Sequence, residues 1–147
     1  MVLLLAIFVW AFSPHIHWVT PRGRQSVTQA DLRAYSEALR EFHDEGGAYP
    51  VTDSTFADFG TAIGSRLVDE GYLREVAMEP WGGTFGYWSD GSHVVVASTG
   101  PNQRFDLEYG VLAQVHAVSQ LEQLCAAMSP SNDDYVFIDG NECPQDI

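Results

Sequence analysis

The chain has 147 residues, enough for a single domain with a real core, and 46% apolar content argues against global disorder. Its formal net charge is −13, and all seven basic residues are arginines. That balance disfavours wrapping nucleic acid, whose binding rests on basic contacts to phosphate. It leaves a solvated acidic surface on which divalent cations are plausible partners.

Met1 to Phe12 is apolar without interruption until Ser13-Pro14. A bilayer-spanning helix needs about 20 apolar residues, so the run is short, but it has neither the basic n-region nor the cleavage site of a secretory signal. We read it as a membrane segment that begins one or two turns inside a longer hydrophobic helix. Arg22 and Arg24 follow; by the positive-inside rule alone they would draw that flank toward the cytoplasm, against export of what comes after.

Ser26 to Glu45 reads as a helix. Thr28 and Asp31 resemble a capping arrangement, and Leu32, Tyr35, Leu39 and Phe42 recur at helical spacing. Gly46-Gly47 stops the helix, and Ala48-Tyr49-Pro50 leads away extended. A second helix is expected after Asp53 or Ser54, with Phe56, Phe59, Ile63 and Leu67 as its stripe, Gly60 and Gly64 allowing close approach, and Gly71 at its end. Glu79-Pro80-Trp81-Gly82-Gly83 then opens a hairpin: strand Thr84–Trp88, turn Ser89-Asp90-Gly91-Ser92, and a returning strand His93–Ser98. Ser98-Thr99-Gly100-Pro101-Asn102 is a dense turn cluster. Glu108 to Met128 has helical spacing, and Tyr135 to Ile138 reads as a last short strand.

Chemistry-bearing motifs are sparse. His15 and His17 alternate beside the apolar segment, while His43, His93 and His116 are scattered, so no third ligand converges on a transition metal. No G-x-S-x-G elbow and no phosphate-cradling glycine loop occurs, and we read the chain as a non-enzyme. Asp90, Asp106, Glu108, Asp133, Asp134 and Asp139 are loop or element-end acids of a kind that suits calcium, without EF-hand spacing; calcium is the one cofactor left open. Cys125 and Cys143 are compatible with a disulfide or with two free thiols.

The ordered set of motifs resembles the major pseudopilin of type II secretion systems, a branch of the type IV pilin-like proteins. The matching residues are Asp31-Leu32 and Ala38-Leu39, Gly47-Ala48-Tyr49-Pro50, Gly71-Tyr72-Leu73, Glu79-Pro80-Trp81-Gly82, Phe85-x-Tyr87, Ser89-Asp90-Gly91 and Ser98-Thr99-Gly100-Pro101-Asn102. Asp133 to Gly140 also resembles a last sheet strand of some relatives. Three departures stand out. The prepilin-peptidase signal is absent, with Leu5 at the fifth position, which also leaves N-terminal methylation open. The Glu108–Met128 helix replaces a short loop. The acids of the family's calcium loop are not matched residue by residue, and Glu79 stands where the family often carries Asp.

The resemblance implies an α+β, pilin-like fold: a long N-terminal helix packed on a small antiparallel β-sheet, with an extra helix in the C-terminal half. Residues 1–25 would form the membrane and filament-core segment with its connection, Leu3, Leu4, Leu5, Ile7 and Phe8 at its centre. Residues 26–147 would form the periplasmic domain, with Tyr49, Pro50, Pro80, Trp81, Gly82, Asp90, Gly91 and Gly100 as structural motif residues. The implied role is structural: a subunit anchored in the inner membrane that packs with copies of itself, related pilin-like subunits and the secretion machinery into a filament driving protein export. The competing reading is a membrane-anchored periplasmic binding module that stays monomeric; an exported hydrolase is weaker. A pseudopilin predicts a helix continuous from the membrane through Glu45 and no deep polar pocket. A binding module predicts a concave pocket around Trp81, Tyr87 and Trp88.

Overall fold

The computed structural model describes residues 20–52, 56–104, 125 and 135–143. Helix α1 spans Pro21–Asp44, beginning five residues before the expected Ser26. The start lies where Thr20, in an extended conformation, accepts a hydrogen bond from the Gly23 amide at 3.1 Å, with Pro21 in the first helical position. Proline fits there because its missing N–H would have had no partner in the helix. The helix is therefore not continuous through Thr20, a correction to the unbroken rod expected from the membrane. Thr28 is a second correction: it is fully buried on the packed face, eight residues past the cap, with no hydrogen-bond partner for its hydroxyl.

The far end follows the sequence closely. Gly46 N–H donates to the His43 carbonyl and Gly47 N–H to that of Phe42, both at 3.0 Å, with Gly46 at φ +95°. This is the paired closure that a left-handed residue permits after a helix. Gly47 is needed for space, since a Cβ there would fall 2.5 Å from the Phe42 ring.

The expected second helix forms but starts later than Ser54: strand β1 (Ala57–Asp58) comes first, and a π-helical turn over Gly60–Gly64 then runs directly into helix α2 (Ser65–Asp69). The expected stripe fails at Phe56, which packs on the opposite side of the sheet from Phe59, Ile63 and Leu67. Alternation of that kind belongs to a strand, and the chain turns helical only after the Asp58 carboxylate accepts from the Thr61 amide and hydroxyl, both at 2.8 Å. Gly64 does permit close approach: a Cβ there would sit 2.8 Å from Val76 and 3.0 Å from Phe59.

Strands β2 (Gly86–Ser89), β3 (Val94–Ser98), β4 (Tyr135–Ile138) and β5 (Asn141–Glu142) complete a five-stranded antiparallel sheet in the order β1-β2-β3-β4-β5. The hairpin register pairs Gly86 with Ala97 and Ser89 with Val94, and β4 lies beside β3 with Tyr135 opposite Ser98. One face of the sheet receives α1. Leu32, Tyr35, Leu39 and Phe42 pack there with Phe59, Ile63, Leu67, Phe85, Tyr87, Val96 and Phe137. Tyr35 stacks on Phe59 at 4.3 Å between centroids and meets the edge of Phe85 at 5.1 Å. Its buried hydroxyl, pushed up to about 12 chiefly by desolvation, accepts from the Ala77 amide at 2.9 Å.

The other face carries Trp88, Val95, Ala97, Val136 and Ile138, with Cys143 buried among them and Cys125 and Phe56 packed against the cluster. Cys125 and Cys143 are disulfide-bonded across a separation of 18 residues. Apart from Cys125, the helix expected over Glu108–Met128 lies outside the described residues. Closing this loop should stabilise the fold by about 2–4 kcal/mol, through restriction of the unfolded chain. Denaturant melts with and without reductant should show that difference, and alkylation of the unreduced, denatured protein should find no free thiol. Two alkylated cysteines would exclude the bond.

Candidate functional site

The motif residues gather at the two ends of the β2–β3 hairpin. At the open end, Glu79 is 4% exposed, and its carboxylate ties three segments together. Oε2 accepts from the amides of Trp81 at 2.8 Å and Gly83 at 3.2 Å, while Oε1 accepts from the Ser98 hydroxyl at 2.6 Å. The Ser98 hydroxyl in turn accepts from the Gly100 amide at 3.1 Å. Pro80 and Trp81 form the corner of a turn closed by the Gly82 amide on the Glu79 carbonyl at 3.0 Å, with Gly82 at φ +96°. The Gln103 side-chain amide donates to the Trp81 carbonyl at 2.6 Å, and the Arg24 guanidinium lies over the Trp81 ring at 5.6 Å. Pro80, Trp81, Gly82 and Gly100 thus belong to one bracketed corner against the N-terminal half of α1.

Tyr49, Pro50, Asp90 and Gly91 meet at the other end. Asp90 Oδ1 accepts from the amides of Ser92 at 2.8 Å and His93 at 2.7 Å, and Gly91 turns the chain at φ +94°. The segment after Pro50 is stitched alongside: the Thr52 amide donates to the Ser89 carbonyl at 3.0 Å, and the Tyr87 hydroxyl donates to the Pro50 carbonyl, also at 3.0 Å. Tyr49 stacks under His43 of α1 at 4.6 Å. Helix α1 therefore runs the length of the hairpin, its first turn at the Trp81 corner and its last at the Asp90 turn.

Among the described residues, Trp81, Tyr87 and Trp88 do not line the common pocket expected of a binding module. Tyr87 faces α1 and Trp88 faces the other side of the sheet, as neighbours along a strand must, so the two cannot share a wall with Trp81. A groove of about 230 Å³ lies beside the corner, between the β1 edge and the segments flanking Trp81, lined by Asp58, Val76, Glu79, Gly82, Gly83 and Phe85 among others.

A family model, type II secretion system (T2SS) protein G, matches residues 18–108. That span holds α1, both ends of the hairpin and every motif residue of the two corners. The chain belongs to the type II secretion system protein G family. No curated protein and no solved structure matches it. Membership makes this pseudopilin-family chain a structural component of secretion rather than an enzyme, among membrane-associated periplasmic proteins that interact with other pilin-like subunits and the secretion machinery.

Leu3, Leu4, Leu5, Ile7 and Phe8 lie outside the described residues, as do Asp106, Glu108, Asp133 and Asp134. Among the described residues no helix is long and apolar enough to cross a membrane, and no three His, Cys, Asp or Glu side chains are grouped to hold a metal. The two described acids of the calcium reading are engaged otherwise, Asp90 in its turn and Asp139 at the β4–β5 corner. Asp139 Oδ1 accepts from the Val94 amide and Oδ2 bonds His93 Nδ1, both at 2.8 Å.

Sequence reading missed what these polar groups do. Glu79 was legible in principle, as an acid placed before Pro and two glycines, where free amides two and four residues on can turn back to it. The His93–Asp139 pair spans 46 residues and has no local signal. The same holds for Glu142 of β5, which accepts from Gln29 at 2.9 Å and Arg33 at 3.3 Å and ties the last strand to α1.

Asp31 carries a consequence for pH. Its Oδ2 is buried without a hydrogen-bond partner. Desolvation, and after it the charge of Glu79, raise its carboxyl above the ordinary 3.8. The folded state therefore holds this proton at pH values where the unfolded chain has released it. Asp31 contributes stability below the unfolded value, and that contribution is lost as pH rises through the raised folded one. Asp31→Asn should raise the melting temperature at neutral pH and flatten its decline above pH 4, measured by thermal melts across mildly acid to neutral buffers. A variant less stable than the parent at pH 7 would show that the charge is needed.

Proposed function

We propose that the chain is a structural subunit of a pilus-like filament, a pseudopilus, that supports protein secretion across the outer membrane. The observation that carries this reading is the family match over residues 18–108, coinciding with a helix packed along a hairpin. Residues 1–25 would contain the apolar anchor and filament core, and residues 26–147 the outward-facing domain, held by the inner membrane and exposed in the periplasm. The apolar run from Met1 to Phe12 has no polar side chain to resist burial, so lipid or neighbouring subunits must cover it. Covering it with copies of itself makes a heterologous contact, which propagates as a helix when the rotation does not close. The two brackets give the outward domain a fixed shape on its helix, as a repeating unit requires.

Cysteines introduced at Leu5 or Phe8 should give ladders of cross-linked multimers in membranes, while a fragment beginning at Thr20, which keeps all of α1, should be a soluble monomer. Monomers alone with the secretion machinery present, or secretion retained after deletion of the gene, would favour a lone binding module.

A further inference from the structure

The charges of α1 run against its own dipole. A helix favours acids in its first turn and cations in its last, yet this first turn contains no acid and the last has only His43 as a basic residue. Arg22 and Arg24 occupy the start, and Glu41, Asp44 and Glu45 the end. Intrachain stability does not explain the arrangement.

Each end is reinforced from a second element. Arg24 lies over the Trp81 ring, and Gln103, which bonds the Trp81 carbonyl, is followed by the exposed Arg104. Arg24 and Arg104 thus border one corner, Arg22 stands exposed in the same first turn of α1, and among the described residues none of the three is in an ion pair. At the other end the Tyr72 hydroxyl donates to Glu45 at 2.5 Å, and that bond, with Glu70 and Glu41 close by, pushes it up to about 12. Arg66, the cation over the Phe42 ring there, is committed to Glu70 at 2.7 Å and does not offset these acids.

We propose that Arg22, Arg24 and Arg104 form a contact surface for Glu41, Asp44 and Glu45 of a second copy of this chain. The proposal rests on the filament reading and specifies where copies meet. The two patches sit at opposite ends of a helix of 24 residues, about 36 Å long at 1.5 Å per residue. One chain cannot bring them together, but successive chains arranged head to tail can, and such a contact is open-ended. In a chain of net charge −13, copies repel at most approaches, so a cluster of arginines facing acids selects one register. It also accounts for Arg22 and Arg24, whose topogenic sign is wrong for an exported domain.

The test uses full-length chain in membranes, with Leu5→Cys as the cross-linking reporter. Arg22→Glu with Arg104→Glu, and separately Glu41→Arg with Asp44→Arg, should each weaken the multimer ladder about tenfold, and the combined fourfold exchange should restore it to within about twofold of the parent. All four side chains are exposed, and because each exchange brings the charge into line with the helix dipole, thermal melts of the variants should not fall below the parent. Ladders unchanged in both double variants, or loss without restoration by the combined exchange, overturn the proposal while leaving the filament reading intact. No ladder in the parent removes the filament reading and this proposal with it. If the arginine variant keeps its ladder and loses only sedimentation with phosphatidylglycerol vesicles, the patch serves an anionic lipid surface and the proposal fails.

Discussion

Replacing Leu39 with Ala should lower the unfolding free energy by about 2–5 kcal/mol, the range for removing a fully buried leucine from a core that relaxes only in part. Leu39 has no exposed surface and lies on the face of α1 that meets the sheet. The upper part of the range is expected, because the surroundings cannot easily collapse. Tyr35, one helical turn back, is fixed by ring contacts and by the Ala77 amide, and Phe42 is held by the Gly46-Gly47 closure and the edge of Tyr72 at 5.7 Å. Urea melts of the two proteins should differ in midpoint at equal slope. An unchanged midpoint would take α1 out of the core, and with it the geometry that sets the two hairpin ends along the helix. The neighbouring exposed Ala34 provides the control, since Ala34→Ser should stay within about 0.5 kcal/mol of the parent.

The parts of the fold legible in the sequence were those carried by local chemistry. The apolar stripe of α1, the glycines that end it, the hairpin around Asp90-Gly91 and the β4 strand all announce themselves within a few residues. The misplacements occurred where two local signals competed. Thr20-Pro21 is a sound helix start, but Arg22-Gly23-Arg24 behind it reads as a membrane flank, and Thr28 and Asp31 offered a second cap that the packed face overrode. Phe56 to Leu67 fits a helical stripe as letters; only β1 pairing with β2 shows that Phe56 must face the other layer. Contacts between distant residues, such as Asp139 with His93 or Glu142 with Arg33, had no signal at all, since nothing in either segment specifies the other.

The corner at Trp81 depends most on one residue. Glu79→Ala should cost about 3–5 kcal/mol, because hydrogen bonds to an ionised group are the stronger class and buried donors left behind add their desolvation. Three donors lose their acceptor together: the amides of Trp81 and Gly83 and the hydroxyl of Ser98. Ser98 is fully buried, so water cannot readily replace Oε1 there. Glu79→Gln should cost much less. Its carbonyl can still receive the two amides, and its NH₂ can donate to the Ser98 hydroxyl, reversing that bond. The same change removes the charge that burdens Asp31, so the glutamine variant should also lose part of the pH dependence assigned to that carboxyl. Hydrogen exchange should localise the alanine effect to Trp81, Gly83 and Gly100 at one end of the hairpin, leaving the Ser92 and His93 amides of the Asp90 turn protected. Equal losses for alanine and glutamine would mean that the charge, and not the pattern of donors, holds the corner. Exchange rising equally at both ends would mean that the two brackets unfold as one unit.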